Sequence, residues 1–281
     1  MLSIFYGIAA ALTWGAADFA GGLAARKLNT YRAVFYGNTL GFLTLLAIVA
    51  IYPETVPDTR SLIIAGAAGI IGAVSLLILF HSMACGQMSI AAPVSALFAA
   101  TLPIVVGIFT QGLPTQVQFI GFGLALLAIW LISQEDSKHP FRIERLSSLR
   151  LPLLAGLGFG SYFILMHYAV IGAPSTIWPL ITTFFTGILT ALAFMLVRRE
   201  TFILPRKAWG VVLINVLFNV AGNLFYLQAL KSGRLDISVA LSSLYPGGTV
   251  ILAWLILRER ISLTQWIGII AALIAIILFT V

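Results

Sequence analysis

Apolar residues run through this chain in blocks of about twenty, interrupted at short intervals by charged residues, Gly and Pro. Blocks of that length, without period-two alternation, predict membrane-spanning helices and exclude an outer-membrane barrel. Ten helices follow, at about 3–25, 31–52, 61–83, 89–110, 115–134, 151–170, 174–197, 207–229, 236–257 and 262–281. Most connections are tiny, such as Gly86-Gln87-Met88 and Gly172-Ala173-Pro174. One long polar segment, Gln134 to Arg150, divides the chain near its middle. The predicted class is an all-α integral membrane protein, with five helices in 1–134, a linker at 135–150 and five more helices in 151–281.

Composition agrees and narrows the choice. With 281 residues, 60% of them hydrophobic, only 9% charged and a mean hydropathy of +1.06, the chain leaves no room for a soluble domain. The excess of sixteen Lys and Arg over nine acids reports topology here, and nucleic acid is not an expected partner. One side of the predicted bundle carries thirteen basic residues: Arg26, Lys27, Arg32, Lys138, Arg142, Arg145, Arg150, Arg198, Arg199, Arg206, Lys207, Arg258 and Arg260. The other carries Arg60, Lys231 and Arg234. The positive-inside rule then places the central linker in the cytoplasm and both termini outside, in the cytoplasmic membrane of the cell. No cleavable signal peptide is expected, because Met1-Leu2-Ser3 lacks a basic n-region. Cys85 stands alone and no Cys/His cluster has metal-ligand spacing, so neither a disulfide, a metal site nor a cofactor is expected.

The two halves are copies. A shift of 147 lays 80–134 on 227–281 without a gap, with thirteen identities in fifty-five positions, including Gly86 with Gly233, Ser95 with Ser242, Gln118 with Gln265, and Ile120-Gly121 with Ile267-Gly268. Ser89 and Asp236 fall at the same offset, both residue types suited to a helix N-cap. Near the start of each half the shift becomes 145, pairing Trp14-Gly15 with Phe159-Gly160. Because five is odd, the second copy must enter the membrane from the opposite side. Inverted repeats of this kind are a hallmark of secondary transporters, although duplication in a bundle that transports nothing is the plainer alternative.

Trp14-Gly15, the run Leu227-Gln228-Ala229-Leu230 through Gly233, Leu241 to Pro246, Arg258-Glu259-Arg260 and Trp266-Ile267-Gly268 together resemble the EamA family of the drug/metabolite transporter superfamily. The resemblance covers nearly the whole chain. It implies a ten-helix bundle of two inverted five-helix repeats, with a central cavity lined by the first four helices of each half. It also implies transport, of amino acids, nucleotide sugars, choline-like cations, drugs or other metabolites, without naming one. The first copy departs from the pattern at Gln111-Gly112-Leu113 and at Ala99, where the second has Arg258-Glu259-Arg260 and Pro246. Relatives often have cytoplasmic termini, whereas the charge count here argues the reverse.

Polar groups inside the spans point to a site. Asp18 is the one carboxylate deep in a predicted helix, on a face shared with Trp14, Gly21, Gly22 and Ala25. An ionised carboxylate costs several kcal/mol in hydrocarbon, so it must meet water, a proton or a cation. It is the candidate for proton or cation coupling, with Trp14 offering a cation–π face; a structural Asp reaching water or Arg26 is the alternative. Asn215, Asn219 and Asn223 recur every fourth residue with Tyr226 beyond them, and a face of amides must line a wet cavity or a helix interface. Their counterparts in the first copy are Ala68, Gly72 and Leu76. Trp178, Thr182, Thr186 and Thr190 repeat the spacing, though Thr hydroxyls can satisfy themselves on the preceding turn. Ser242 and Tyr245 precede Pro246-Gly247-Gly248, a plausible bend, and Tyr162 completes the proposed lining. His81 and His167, near helix ends, are expected to be interfacial.

No nucleophile–base constellation or phosphate-binding Gly loop occurs, so an enzyme or ATP-driven pump is not expected. The reading is a secondary active transporter of a small polar, zwitterionic or cationic metabolite, with a small-molecule substrate and the lipid bilayer as partners. One chain suffices for a path, and a homo-oligomer stays open. A lipid or polyprenyl-phosphate translocase, or a bundle without transport, is the rival.

Overall fold

The structure is a computed structural model that describes residues 2–25, 28–84, 88–132, 150–252, 255 and 262–280. Among these the chain is helical, without a strand. The elements are α1 (Leu2–Ala25), α2 (Thr30–Ile51), α3 (Thr59–Ala84), α4 (Met88–Gln111), α5 (Gln116–Ile132), α6 (Arg150–Val170), α7 (Ile177–Val197), α8 (Trp209–Ser232), α9 (Leu235–Ser242), α10 (Tyr245–Leu252) and α11 (Leu263–Thr280). Among the described residues, six segments are long and apolar enough to cross a membrane: Leu2–Gly21, Thr30–Ile51, Thr59–Leu79, Arg150–Val170, Ile177–Val197 and Arg206–Ser232. Ser95–Gln111, Gln116–Leu131 and Leu263–Phe279 are apolar over a shorter length. Large apolar side chains face outward, Phe109 at 84% exposure and Val197 at 80% among them, the inverse of a soluble surface.

The ninth predicted helix, 236–257, is corrected. It breaks after Ser242 and restarts at Tyr245 as α10. Pro246 has no N–H to return to the Ser242 carbonyl, and the chain instead closes 3₁₀-type bonds from Leu244 N to Leu241 O and from Gly247 N to Leu244 O. Asp236 is likewise not an N-cap. Arg234 occupies that position, and Asp236 is the second residue of the helix. The side chain of Ser89, most of the central linker and Arg258-Glu259-Arg260 lie outside the described residues.

The two halves interlock in mirrored pairs. α1 packs against α8 and against α9 and α10, while α6 packs against α3 and α4. Small residues make these contacts close. A Cβ at Gly222 of α8 would lie 2.5 Å from Trp14 Cδ1, and one at Gly158 of α6 would lie 2.0 Å from Ser75 Oγ of α3. Equivalent helices meet each other as well: Gly41 and Asn38 of α2 abut Phe184 and Gly187 of α7, so this pair runs antiparallel. Gly121 and Phe122 at the start of α5 meet Phe279 near the end of α11.

These contacts sort the helix ends onto two faces. On one, Ser3 meets Ser238, the Ser61 hydroxyl donates to the Ala169 carbonyl, and Lys231 donates to the Ala173 carbonyl. On the other, Asn29 and Arg32 at the start of α2 meet Glu200 and Ile203 beyond α7. The first residues of α1 and the last turn of α11 both belong to the first face.

Candidate functional site

Asp18 lies sixteen residues into α1, roughly 24 Å along its axis at 1.5 Å per residue. Its side chain is exposed, and it has no hydrogen bond or ion pair among the described residues. The neighbouring turns are tied to α8: the Asn215 amide donates to the Ala17 carbonyl at 2.7 Å, and a Cβ at Gly21 would meet Asn215 Nδ2 at 3.0 Å. On the other flank, α10 approaches so closely that a Cβ at Gly248 would lie 3.4 Å from the Gly15 Cα. Tyr245, the first residue of α10, lies within electrostatic reach of Asp18. The carboxylate therefore stands between two helices of the opposite half.

Toward the face bearing Lys231, the helices around Asp18 carry a polar chain and an aromatic cluster. Tyr162 of α6 donates to Asn223 Oδ1 at 2.8 Å, and Asn223 donates to both the carbonyl and the Oδ1 of Asn219 at 2.8 Å. The Asn stripe thus carries one continuous hydrogen-bond path from α6 into α8. Asn215 stands outside this path, its amide on the Ala17 carbonyl, as each amide in an apolar bundle must find a partner. Gly72, the counterpart of Asn219, leaves room on α3 for the Tyr162 ring, 3.1 Å from where a Cβ would sit. Trp14 stacks obliquely on Phe163 and Tyr226 at centroid distances of 5.8 and 5.3 Å, and Phe163 and Tyr226 lie 5.1 Å apart. Tyr226 is fully buried and donates to the Phe163 carbonyl.

Trp178 and Thr182 sit elsewhere. Trp178 is at the first turn of α7, its indole N–H on the Glu54 carbonyl at 3.0 Å, and Thr182 returns its hydroxyl to the Trp178 carbonyl. Thr183 and Thr186 reach across to the Ala65 and Gly66 carbonyls of α3, so this face is helix packing. Ser242 is fully buried at the end of α9, and its hydroxyl has no hydrogen-bond partner among the described residues. His167, in the last turn of α6, is 4% exposed; its Nε2 lies 3.4 Å from Gln111 Nε2, and its Nδ1 has no hydrogen-bond partner among the described residues.

Sequence reasoning passed over two groups of charges that close the Lys231 face. Arg234 pairs with the fully buried Asp236 at 2.8 Å and donates to the Gln111 and Gly112 carbonyls. Glu54 receives hydrogen bonds from the Ser175 hydroxyl at 2.5 Å and from the Thr176 and Ile177 N–H groups at 2.9 and 3.0 Å. Partial burial alone would raise the Glu54 carboxyl, but those donors and the charge of Lys231 outweigh it and hold the group below the usual carboxylate range.

The EamA-like transporter family matches this chain twice, over residues 1–134 and again over 147–281. The chain belongs to the EamA-like transporter family. It is therefore a membrane transporter of the drug/metabolite type, built from two EamA units. A protein of Methanocaldococcus jannaschii described as uncharacterized is 36% identical over 95 residues, spanning 34% of this chain and 69% of that one. A solved crystal structure superposes with a TM-score of 0.81 over 99% of this EamA-like chain and 96% of its own, at 15% identity, and so shares the fold.

Proposed function

We propose that this chain is a secondary transporter that moves a small polar, zwitterionic or cationic metabolite by alternating access, with Asp18 as its proton or cation acceptor. The observation that carries the reading is Asp18 itself, an exposed carboxylate two-thirds along an apolar helix, without a hydrogen bond or ion pair among the described residues and flanked by helices of the opposite half. A carboxylate so placed is tolerated where water or a cation reaches it. The amides of Asn219 and Asn223, the Tyr162 phenol and the indole of Trp14 supply neutral donors, acceptors and a π face around the same space, which suits a ligand without several negative charges.

Alternating access needs two halves that exchange roles, and the antiparallel packing of α2 with α7 supports an inverted repeat of ten spans. The aromatic cluster and the polar ties near Lys231 and Arg234 are consistent with a state closed on that face. By the positive-inside rule the opposite face, bearing Arg32, Arg198, Arg199, Arg206 and Lys207, is cytoplasmic, and both termini are outside.

A lipid translocase is favoured by one feature. A lateral cavity of about 430 Å³ between α2 and α8 is lined by Leu40, Leu43, Thr44, Ala47, Leu213, Val216 and Leu217. Reconstituted vesicles separate the two readings. With an imposed pH gradient, saturable uptake of at least one amino acid, sugar, quaternary amine or cationic drug is expected. Movement of labelled lipid without movement of any such solute would favour the translocase.

A further inference from the structure

Glu54 and Glu200 stand 146 positions apart, each three residues beyond the second helix of its half, α2 or α7. The groups they touch keep the same spacing, Asn29 with Ser175 and Arg32 with Trp178. The bonds correspond one for one. The Ser175 hydroxyl donates to Glu54 Oε2 at 2.5 Å and accepts from Trp178 N at 3.1 Å. The Asn29 amide donates to Glu200 Oε2 at 2.5 Å, and its oxygen accepts from Arg32 N at 3.0 Å. Each carboxylate thus leaves one half and lands on the start of the second helix of the other half, on opposite faces of the bundle.

The two copies differ in how far they engage. Glu54 also takes the Thr176 and Ile177 N–H groups, which satisfies the first free donors of the helix, where a negative charge is favoured. Glu200 stops at the Asn29 side chain and lies 3.8 Å from the Arg32 guanidinium. The equivalent donors, Thr30 N–H and Tyr31 N–H, have no acceptor among the described residues. Arg199 sits in the left-handed conformation, φ 53°, immediately before Glu200, so the turn that delivers this carboxylate is the strained one.

We propose that Glu54 and Glu200 are two copies of one latch, fully engaged on one face and half-engaged on the other, and that they exchange these states as the bundle changes the face to which it opens. This rests on the alternating-access reading above. In the opposite conformation Glu200 takes the Thr30 and Tyr31 N–H groups, and Glu54 retreats to the Ser175 hydroxyl. The latches act at the ends of the helices, beyond the last turns of α2 and α7, and so they set which face is open.

Residue-resolved hydrogen exchange on the full chain in lipid nanodiscs tests this. In Glu54→Gln, exchange at Thr176 and Ile177 should accelerate about tenfold or more, and exchange at Thr30 and Tyr31 should slow. In Glu200→Gln, Thr176 and Ile177 should become more protected than in the unmodified protein. Purely local change, with the distant pair unaltered in both variants, would overturn the proposal and leave two static helix caps. Uptake in vesicles is scored separately. Reciprocal exchange without solute movement would leave the latch standing and remove the transport reading; solute movement without reciprocity would do the opposite.

Discussion

Replacing Asp18 with Asn is expected to reduce pH-gradient-driven uptake to the level of protein-free vesicles. An amide cannot accept a proton at any relevant pH and attracts a cation only weakly, so both coupling mechanisms open to the carboxylate are lost together. The fold should survive. Asp18 is exposed and holds no hydrogen bond among the described residues, so the substitution leaves no donor stranded, and Asn is nearly isosteric. Changes of that type stay within about 0.5 kcal/mol, or about 2 °C in melting temperature for a chain of this size. Uptake and thermal unfolding of the same preparation check both halves. Retained gradient dependence in Asp18→Asn would remove Asp18 from the coupling role.

The second large effect is on stability. Gly69→Ala should be among the most damaging single-methyl additions in the chain. Its Cβ would lie 2.1 Å from Thr186 Oγ1 and 2.3 Å from the Thr183 carbonyl oxygen, and the second of these is backbone that no rotamer can move. α3 must separate from α7, which also breaks the hydrogen bonds from Thr183 to Ala65 and from Thr186 to Gly66. Overpacking of well-filled cores costs about 1–3 kcal/mol, and a clash with backbone belongs at the upper end, so a fall of roughly 10 °C is expected in detergent. Gly37→Ala is the control. Nothing lies within 4 Å of its Cβ, and replacing a mid-helix Gly should be neutral or slightly stabilising, by about 0.5–1 kcal/mol. Equal effects at the two positions would mean that the α3–α7 contact is looser than described.

What could be read in advance followed from the physics of the bilayer. Lipid demands long apolar blocks and internal satisfaction of the backbone, so helix positions, the duplication and the exceptional Asp18 all stand out from a single sequence. The Asn stripe stands out for the same reason, and its hydrogen bonds to Tyr162 follow from a residue that the sequence had placed in the lining.

Spacing alone did not say which neighbour a helix face meets. Trp178 and Thr182 share the fourfold period of the Asn residues, yet their face lands on the α3 glycines and the Glu54 carbonyl. Nor did proline by itself mark a break. α4 runs unbroken through Pro93 and Pro103, whereas the ninth predicted helix breaks at Ser243-Leu244, just before a proline followed by two glycines. Glu54 and Glu200 escaped notice because charged residues just outside a helix are ordinarily solvated. Their offset of 146 falls between the two registers, 147 and 145, that revealed the repeat.

Alternating access requires that one cavity open to each face in turn. The direct measurement is the labelling of Asn219→Cys, in a Cys85→Ser background, by an impermeant maleimide added to one side or the other of sealed vesicles of known orientation. Reaction from both sides is expected, with the two rates changing in opposite senses when a pH difference is imposed. Labelling from a single side under every condition, or rates that rise and fall together, would contradict it.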